Sequence, residues 1–387
     1  MGQEEDVLIY FDNAATTMDK PRRVVEAVGE ALTSFGGVGR GVHEASIKAG
    51  MAVFEARDAV ARLLGVASSE RVAFAANATA ALNMAVAGLV PAGGVALTTA
   101  ASHNSVLRPL FKARDERGVE VRVVGHDRRG VLDEEALLGM LDGVDVVAIT
   151  HASNLTGDVY DVAAIARAAH EAGALVVLDA AQTAGTVPFT MTDVGADVVC
   201  FTGHKGLLGP QGTGGLAVAE GVELPPLLEG GSGTMSFMER HPRFMPEALE
   251  AGTPNAHGLA GLAVGVDYVM ERGVEAIHEH EVALANRLAA GLGDVAGVTV
   301  HGGAEHARCG IVAFNVGEVD SGVVADRLAS EWGICTRAGA HCAPLMHKAL
   351  GTERQGAVRA SFGPFNVEDE VDACLEAIRV IAREELA

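Results

Sequence analysis

From about residue 72 to 220 the chain alternates short, continuously apolar runs with stretches of helical periodicity. The runs are Val72–Ala76, Val95–Thr99, Val144–Thr150, Ala174–Leu178 and Asp197–Phe201. Their length and apolar continuity predict buried strands. Between them the spacing predicts helices from about Ala78 to Val90 and from Ser105 to Arg117, the second stopped by Gly118. A third places Val162, Ile165, Ala166 and Ala169 at i, i+3, i+4, i+7 and ends at Gly173. Continuous strands separated by amphipathic helices predict an α/β fold, with an open, mainly parallel sheet covered on both faces.

Residues 206–254 are rich in Gly and Pro with few periodic segments, which predicts loops around a site or interface. A helix over about His257–Arg272 leads to another beginning near Val274. The remainder reads as strands at Val298–His301, Ile311–Val316, Ile334–Arg337 and Val358–Phe362, with helices at Ser321–Trp332 and Glu368–Glu384. This predicts a smaller α+β unit.

In open parallel sheets, ligands bind beyond the carboxyl ends of the strands. Polar residues collect there: Asn77 and Thr79, His103, Asn154, Asp179 and Gln182, then His204 and Lys205. Chance rarely gives five successive strand ends carrying such groups.

Composition narrows the classes. Of the 387 residues, 49% are hydrophobic and 21% charged, which is a globular composition. The formal net charge of -22 disfavours nucleic acid or an anionic membrane as the main partner. An anionic ligand must then be held by local Arg, Lys and backbone N–H groups. Five cysteines without a CxxC pair fit a reducing compartment better than a disulfide framework. The opening Met1–Asp6 is acidic, with no apolar signal region, and no apolar run reaches transmembrane length. The expectation is a soluble, cytoplasmic protein.

Lys205 follows a buried strand and Gly203. A lysine kept from water loses preference for its charged form, which prepares it for Schiff-base chemistry. In isolation a Gly-His-Lys loop is more often solvated, but the neighbouring strand end carries Asp179. That carboxylate could pair with a pyridinium nitrogen, as pyridoxal phosphate enzymes require, although Asp at a strand end is about as often a helix cap. The turn Ala76–Asn83, with Ala78 and Thr79, could offer a helix N-terminus to a phosphate. His103 could stack on an aromatic cofactor or be an ordinary structural histidine. Arg359 could capture a substrate carboxylate through two hydrogen bonds, or form an ordinary surface salt bridge.

Cys342 lies in Thr336–Pro344, a small, polar loop bounded by Gly and Pro. Loop position, a nearby glycine and adjacent His341 favour a reactive thiolate, whereas Cys200, Cys335 and Cys374 read as buried, inert thiols. His341, Cys342 and His347 match no standard closed set of four metal ligands.

With these residues assembled, the chain resembles the cysteine desulfurases, fold-type I pyridoxal phosphate enzymes of the class V aminotransferase family, along nearly its whole length. Tyr10–Thr17 looks like the family's opening motif, whose alanines, here including Ala14, approach the substrate. Asn77-Ala78-Thr79 matches the phosphate turn, and His103 the histidine stacked on the cofactor. Asn154 matches a substrate-carboxylate contact. The resemblance assigns Asp179 to the pyridine nitrogen and Gln182 to the phenolic oxygen. Thr202, His204 and Lys205 match the phosphate-binding pair and the Schiff-base lysine. Gly252–Asn255, with Thr253, resembles a segment that reaches across a dimer to the partner's phosphate, and Arg359 matches the carboxylate arginine. The short loop Arg337–Ala343 resembles that of the group II enzymes, which include selenocysteine lyase-like proteins. Ser102 departs from the pattern, standing where relatives commonly carry an acidic residue.

The resemblance implies a large cofactor domain over residues 21–255 and a smaller C-terminal domain over 256–387, with residues 1–20 contributing to the active site. It implies pyridoxal 5'-phosphate as cofactor, a homodimer, and L-cysteine converted to L-alanine. Lys205 would move the Cα proton, His103 would carry a proton near the ring, and Cys342 would take the sulfur as a persulfide for an acceptor thiol or sulfur-carrier protein. The competing expectations are a selenocysteine lyase, another C–S lyase, an aminotransferase or epimerase of the same fold, or a non-catalytic scaffold.

Overall fold

Strand and helix boundaries follow the apolar runs closely. The structure, a computed structural model, describes residues 8–39, 41–303 and 307–387. The acidic opening Met1–Asp6, and with it the start of the expected N-terminal segment, lies outside the described residues.

In chain order the strands are β1 (Ile9–Tyr10), β2 (Val72–Ala75), β3 (Val95–Thr99), β4 (Glu120–Val124), β5 (Val146–Thr150) and β6 (Leu175–Asp179). They continue with β7 (Val198–Thr202), β8 (Gly214–Val218), β9 (Val298–His301), β10 (Ile311–Val316), β11 (Ile334–Cys335) and β12 (Val358–Ser361). The main sheet has the order β2-β8-β7-β6-β5-β3-β4. β8 pairs antiparallel with both neighbours, and every other pairing in this sheet is parallel.

Successive residues of a strand point to opposite faces, and both faces are buried. Val147 and Ile149 of β5 join one apolar cluster with Val53, Val60, Ile165 and Leu262. Val146 and Ala148 join another with Leu82, Val86, Val106 and Leu110. The first cluster is supplied by helices Glu44–Leu64, Val162–Glu171 and Ala256–Arg272, the second by Ala78–Leu89 and Asn104–Arg117. The expected covering of the sheet by helices is therefore present. Because Leu259, Leu262, Ala263 and Val266 bury in the first cluster, that core extends past residue 255.

A second sheet, β12-β10-β9, is antiparallel. It shares a core with helices Val274–Gly293, Ser321–Trp332 and Glu368–Glu385 through Leu288, Phe314, Leu328 and Ile378. β1 pairs parallel with β11, and Asp12 bridges to Ser361. The N-terminal segment is thus fastened to the elements that flank the cysteine loop.

β8 corrects the expectation of loops throughout 206–254. Its first residues are Gly214 and Gly215, which hide a strand from any apolar pattern. Glycine is required here by close approach. A Cβ at Gly214 would stand 2.8 Å from both the Asn77 Cα and the Phe201 carbonyl oxygen, and one at Gly215 would strike the Ala73 carbonyl. Among the described residues, no helix is long and apolar enough to cross a membrane.

Candidate active site

A cavity of about 210 Å³ opens at the carboxyl ends of β2, β3, β5, β6 and β7, between the main sheet and the cysteine loop. Every site residue expected from the sequence lines it except Thr253, which is exposed outside it. The structure also puts there Arg337 and Ser105, which were not chosen from the sequence.

One end of the cavity is built for an anion. Asn77 caps helix Ala78–Leu89, its side-chain oxygen accepting from the Ala80 N–H at 3.0 Å. The first-turn amides of Ala78 and Thr79 have no intrahelical carbonyl to bond and lie at the positive end of the helix dipole. The Thr79 hydroxyl meets Ser105 Oγ at 2.7 Å, and Ser105 Oγ lies 2.9 Å from His103 Nδ1. His103 Nδ1 also accepts from the Ser105 N–H at 3.0 Å, so its neutral ring carries its proton on Nε2. Burial, then the charge of Lys205, pushes His103 down to about 4. Ser102 is buried, and its hydroxyl meets Thr98 Oγ1 at 2.8 Å rather than the histidine.

The floor of the cavity carries Asp179 and Lys205. Asp179 closes β6, fully inside the protein, with its Oδ1 accepting from the Ala181 N–H at 3.0 Å. Burial raises it above the usual carboxylate range, and Lys205 opposes that shift. A buried carboxylate held by one amide N–H can accept a further, charged donor, and a pyridinium nitrogen supplies one. Lys205 is enclosed by protein apart from the cavity, and burial, reinforced by Arg359, pushes it down to about 8. Gln182 donates to the Ala14 carbonyl at 3.1 Å and keeps its second N–H for a ligand. Thr202 is buried at the end of β7. His204 Nδ1 is buried without a partner, and burial pushes the ring down to about 4.

β12 contributes Arg359 to the lining, with its side chain buried. Nη1 donates to the Asn154 carbonyl at 2.8 Å and Nη2 to Asp12 Oδ1 at 3.0 Å, while Nε has no partner. This replaces the alternative of an ordinary surface salt bridge. Arg337 pairs backbone to backbone with Arg359, and its exposed side chain adds positive charge to the cavity. Asn154 donates from Nδ2 to the His341 carbonyl at 2.6 Å, leaving Oδ1 buried and unpartnered.

Cys342 is exposed and lies on the cavity wall, whereas Cys200, Cys309 and Cys374 are buried and Cys335 is half-buried. His341 and Cys342 adopt left-handed backbone conformations, with φ of 49° and 56°. The Cys342 carbonyl accepts from the Asn104 N–H at 2.8 Å. Adjacent His341, expected to favour a thiolate, is tied to the backbone instead. Its Nε2 donates to the Ala357 carbonyl at 2.9 Å, and burial pushes it down to about 3. His341 packs on His347 with ring centroids 6.1 Å apart. Among the described residues, no group of three or more His, Cys, Asp or Glu side chains could hold a metal ion.

Comparison with known proteins places the chain in a family. The model of the family "Aminotransferase class-V" matches residues 9–374. The chain belongs to that family. This class V member is 36% identical, over 97% of its length and 94% of the relative's, to a probable cysteine desulfurase of Methanothermobacter thermautotrophicus. It is 33% identical to a cysteine desulfurase of Haloferax volcanii, covering 96% of this chain and 88% of that one. Among solved structures it is similar to the apo cysteine desulfurase of Thermococcus onnurineus, with a TM-score of 0.91 and 34% identity over 97% of this chain and 95% of that one. The cysteine desulfurase CsdA of Escherichia coli superposes with a TM-score of 0.87 at 29% identity, covering 98% and 96% of the two chains.

Proposed function

We propose that this class V protein is a pyridoxal 5'-phosphate-dependent cysteine desulfurase that converts L-cysteine to L-alanine and takes the sulfur onto Cys342. The observation that carries this reading is the placement of exposed Cys342 on the wall of the cavity that holds Lys205 and Arg359. A thiol there favours sulfur chemistry over transamination or epimerisation.

The cavity fits the cofactor. Asp179 would face the ring nitrogen, Gln182 the phenolic oxygen, and the amides of Ala78 and Thr79 with Thr202 and His204 the phosphate. His103, held by Ser105, would lie against the ring. When bound, the cofactor withdraws electrons from the substrate's Cα and so activates its Cα–H and C–S bonds.

The protein's own groups then divide the work. Arg359 holds the substrate carboxylate through Nε and a remaining Nη proton, with Asn154 and Ala14 beside it. Lys205, partly neutral near pH 8, takes and returns the Cα proton. The Cys342 thiolate attacks the substrate sulfur, forming an S–S bond as the C–S bond breaks. The C–S electron pair goes to the substrate's β-carbon, which gains a proton. Cys342–SH and L-cysteine thereby become Cys342–S–SH and L-alanine without an external oxidant. A thiol of an acceptor molecule or sulfur-carrier protein then removes the outer sulfur.

The exposed position of Thr253, outside its own cavity, fits service to the partner's phosphate in a homodimer. Ile47, Met51 and Phe54, all exposed on helix Glu44–Leu64, supply apolar surface for such pairing. The soluble, cytoplasmic setting expected from the sequence suits a free thiol.

The test is to supply L-cysteine with a thiol reductant and measure alanine and sulfide. Cys342→Ser is expected to keep the visible cofactor band and lose sulfide release. Normal turnover by that variant, or no cofactor band even after adding pyridoxal phosphate, would overturn the reading.

A further inference from the structure

The residues that hold the substrate and the residue that attacks it are joined by one side chain. Asn154 Nδ2 lies 2.6 Å from the carbonyl oxygen of His341, the residue immediately before Cys342. A carbonyl only accepts, so the amide nitrogen must face it, and its second N–H remains for a ligand. The Asn154 backbone carbonyl accepts from Arg359 Nη1 at 2.8 Å. A continuous chain of bonds therefore runs from the guanidinium through Asn154 to the backbone of the cysteine loop.

That loop needs such a tether. His341 and Cys342 are consecutive non-glycine residues with positive φ. Such conformations are sterically disfavoured for side chains with a Cβ and persist only where surrounding contacts over-determine them. The His341 ring bond to Ala357 and the Asn104 bond to the Cys342 carbonyl hold two sides of the loop. Asn154 holds the third, from the cavity side, where the side chain is buried.

We propose that Asn154 is a positioning residue for Cys342, fixing the sulfur-accepting thiol against the substrate whose carboxylate it also helps to hold. This rests on the desulfurase reading, but its first consequence does not require turnover. Without Asn154 the loop loses its cavity-side bond, so Cys342 moves more freely even in the ligand-free protein.

The experiment compares wild type with Asn154→Ala and with the near-isosteric Asn154→Leu, which has no donor for the His341 carbonyl. Alkylation of Cys342 by iodoacetamide, followed by mass spectrometry, reads the loop, with buried Cys200 and Cys374 as internal controls. Both variants are expected to react about threefold or more faster at Cys342, with the controls unchanged. In the holoenzyme at saturating L-cysteine, loss of the Asn154 contact should slow exchange of the Cα hydrogen in D₂O as well, and persulfide formation should fall about tenfold or more beyond the fall in exchange. Unchanged alkylation in the near-isosteric variant, or exchange and persulfide formation falling in parallel, would overturn the proposal. Absence of persulfide in wild type would instead overturn the desulfurase reading, with the alkylation result still standing.

Discussion

Arg359 Nη2 lies 3.0 Å from Asp12 Oδ1, joining the last strand of the smaller sheet to the N-terminal segment. The arginine side chain is almost fully buried, and the aspartate keeps 22% of its side-chain surface exposed. Burial pushes the guanidinium below its usual range and Asp12 opposes that shift. Removing one partner of such a pair leaves a buried charge uncompensated. Asp12→Ala is therefore expected to lose about 1–3 kcal/mol of stability, discounted from the fully buried case because Asp12 is partly solvated. It should also raise the KM for L-cysteine about tenfold with a smaller change in kcat, because the carboxylate anchor loses its orientation. Asp12→Asn keeps an acceptor and should lie between wild type and Asp12→Ala. Urea unfolding and steady-state kinetics check both values, and an unchanged KM in Asp12→Ala would refute the orienting role.

The strained backbone at Cys342 separates stability from chemistry. A left-handed non-glycine residue costs about 1–2 kcal/mol, while glycine adds about 0.4–1 kcal/mol of entropy to the unfolded chain. Cys342→Gly should therefore be more stable than wild type by about 0.5–1 kcal/mol and should make no persulfide. Cys342→Ala removes the thiol without relieving φ and should stay within about 0.5 kcal/mol. Chemical denaturation of the three proteins decides the matter. Equal stability of the glycine and alanine variants would contradict the strain argument.

These two sites show where the sequence was legible. Lys205, Asp179 and Asn154 could be found because each ends an apolar run, and strand ends converge in a parallel sheet. Asp12 and Arg337 could be read within motifs, but their partners lie far along the chain. Asp12 meets Arg359 because β1 pairs with β11 and Asp12 itself bridges to Ser361 of β12, and a two-residue strand has no apolar period to reveal it. The histidine beside Cys342 misled for a similar reason. Adjacency puts His341 near the thiol, while its ring turns away to the Ala357 carbonyl. β8 was invisible because its two glycines answer to backbone clearance and not to burial.

Gly214 tests that clearance directly. A Cβ there would stand 2.8 Å from Asn77 Cα, the residue that caps the phosphate-facing helix. Neither contact can yield by side-chain rotation, because both involve backbone. Gly214→Ala is expected to destabilise the protein by about 1–3 kcal/mol and to weaken retention of pyridoxal phosphate, since the displaced turn carries Ala78 and Thr79. Thermal melting and the visible band after dialysis measure the two effects. A variant with wild-type melting and full cofactor retention would show that the strands separate at no cost.

Acid should destabilise the cofactor-free protein, and the sign follows from its buried histidines. Seven of them, His103, His126, His151, His204, His301, His341 and His347, are pushed below the ordinary value, with burial the largest cause for each. As pH falls through about 6.5, the unfolded chain takes up protons that the folded chain refuses, so stability drops. The loss continues until the folded-state values are reached, near 4 for His347 and near 3 for His341. Asp179 and Glu281 act in the opposite direction. Burial raises both carboxyls, so the folded state binds their protons first. Two carboxyls do not offset seven histidines. Lys205 and Lys20 lie outside this window, since both are lowered only to about 8, and they favour the folded state as pH rises further. Urea midpoints should therefore fall steadily from pH 7 to pH 5. Each histidine contributes at most about 1.4 kcal/mol per pH unit. His341→Gln, whose amide can still donate to Ala357, should flatten the slope by up to that amount. A midpoint independent of pH over this range would mean that these rings are protonated, or exposed, in the folded protein.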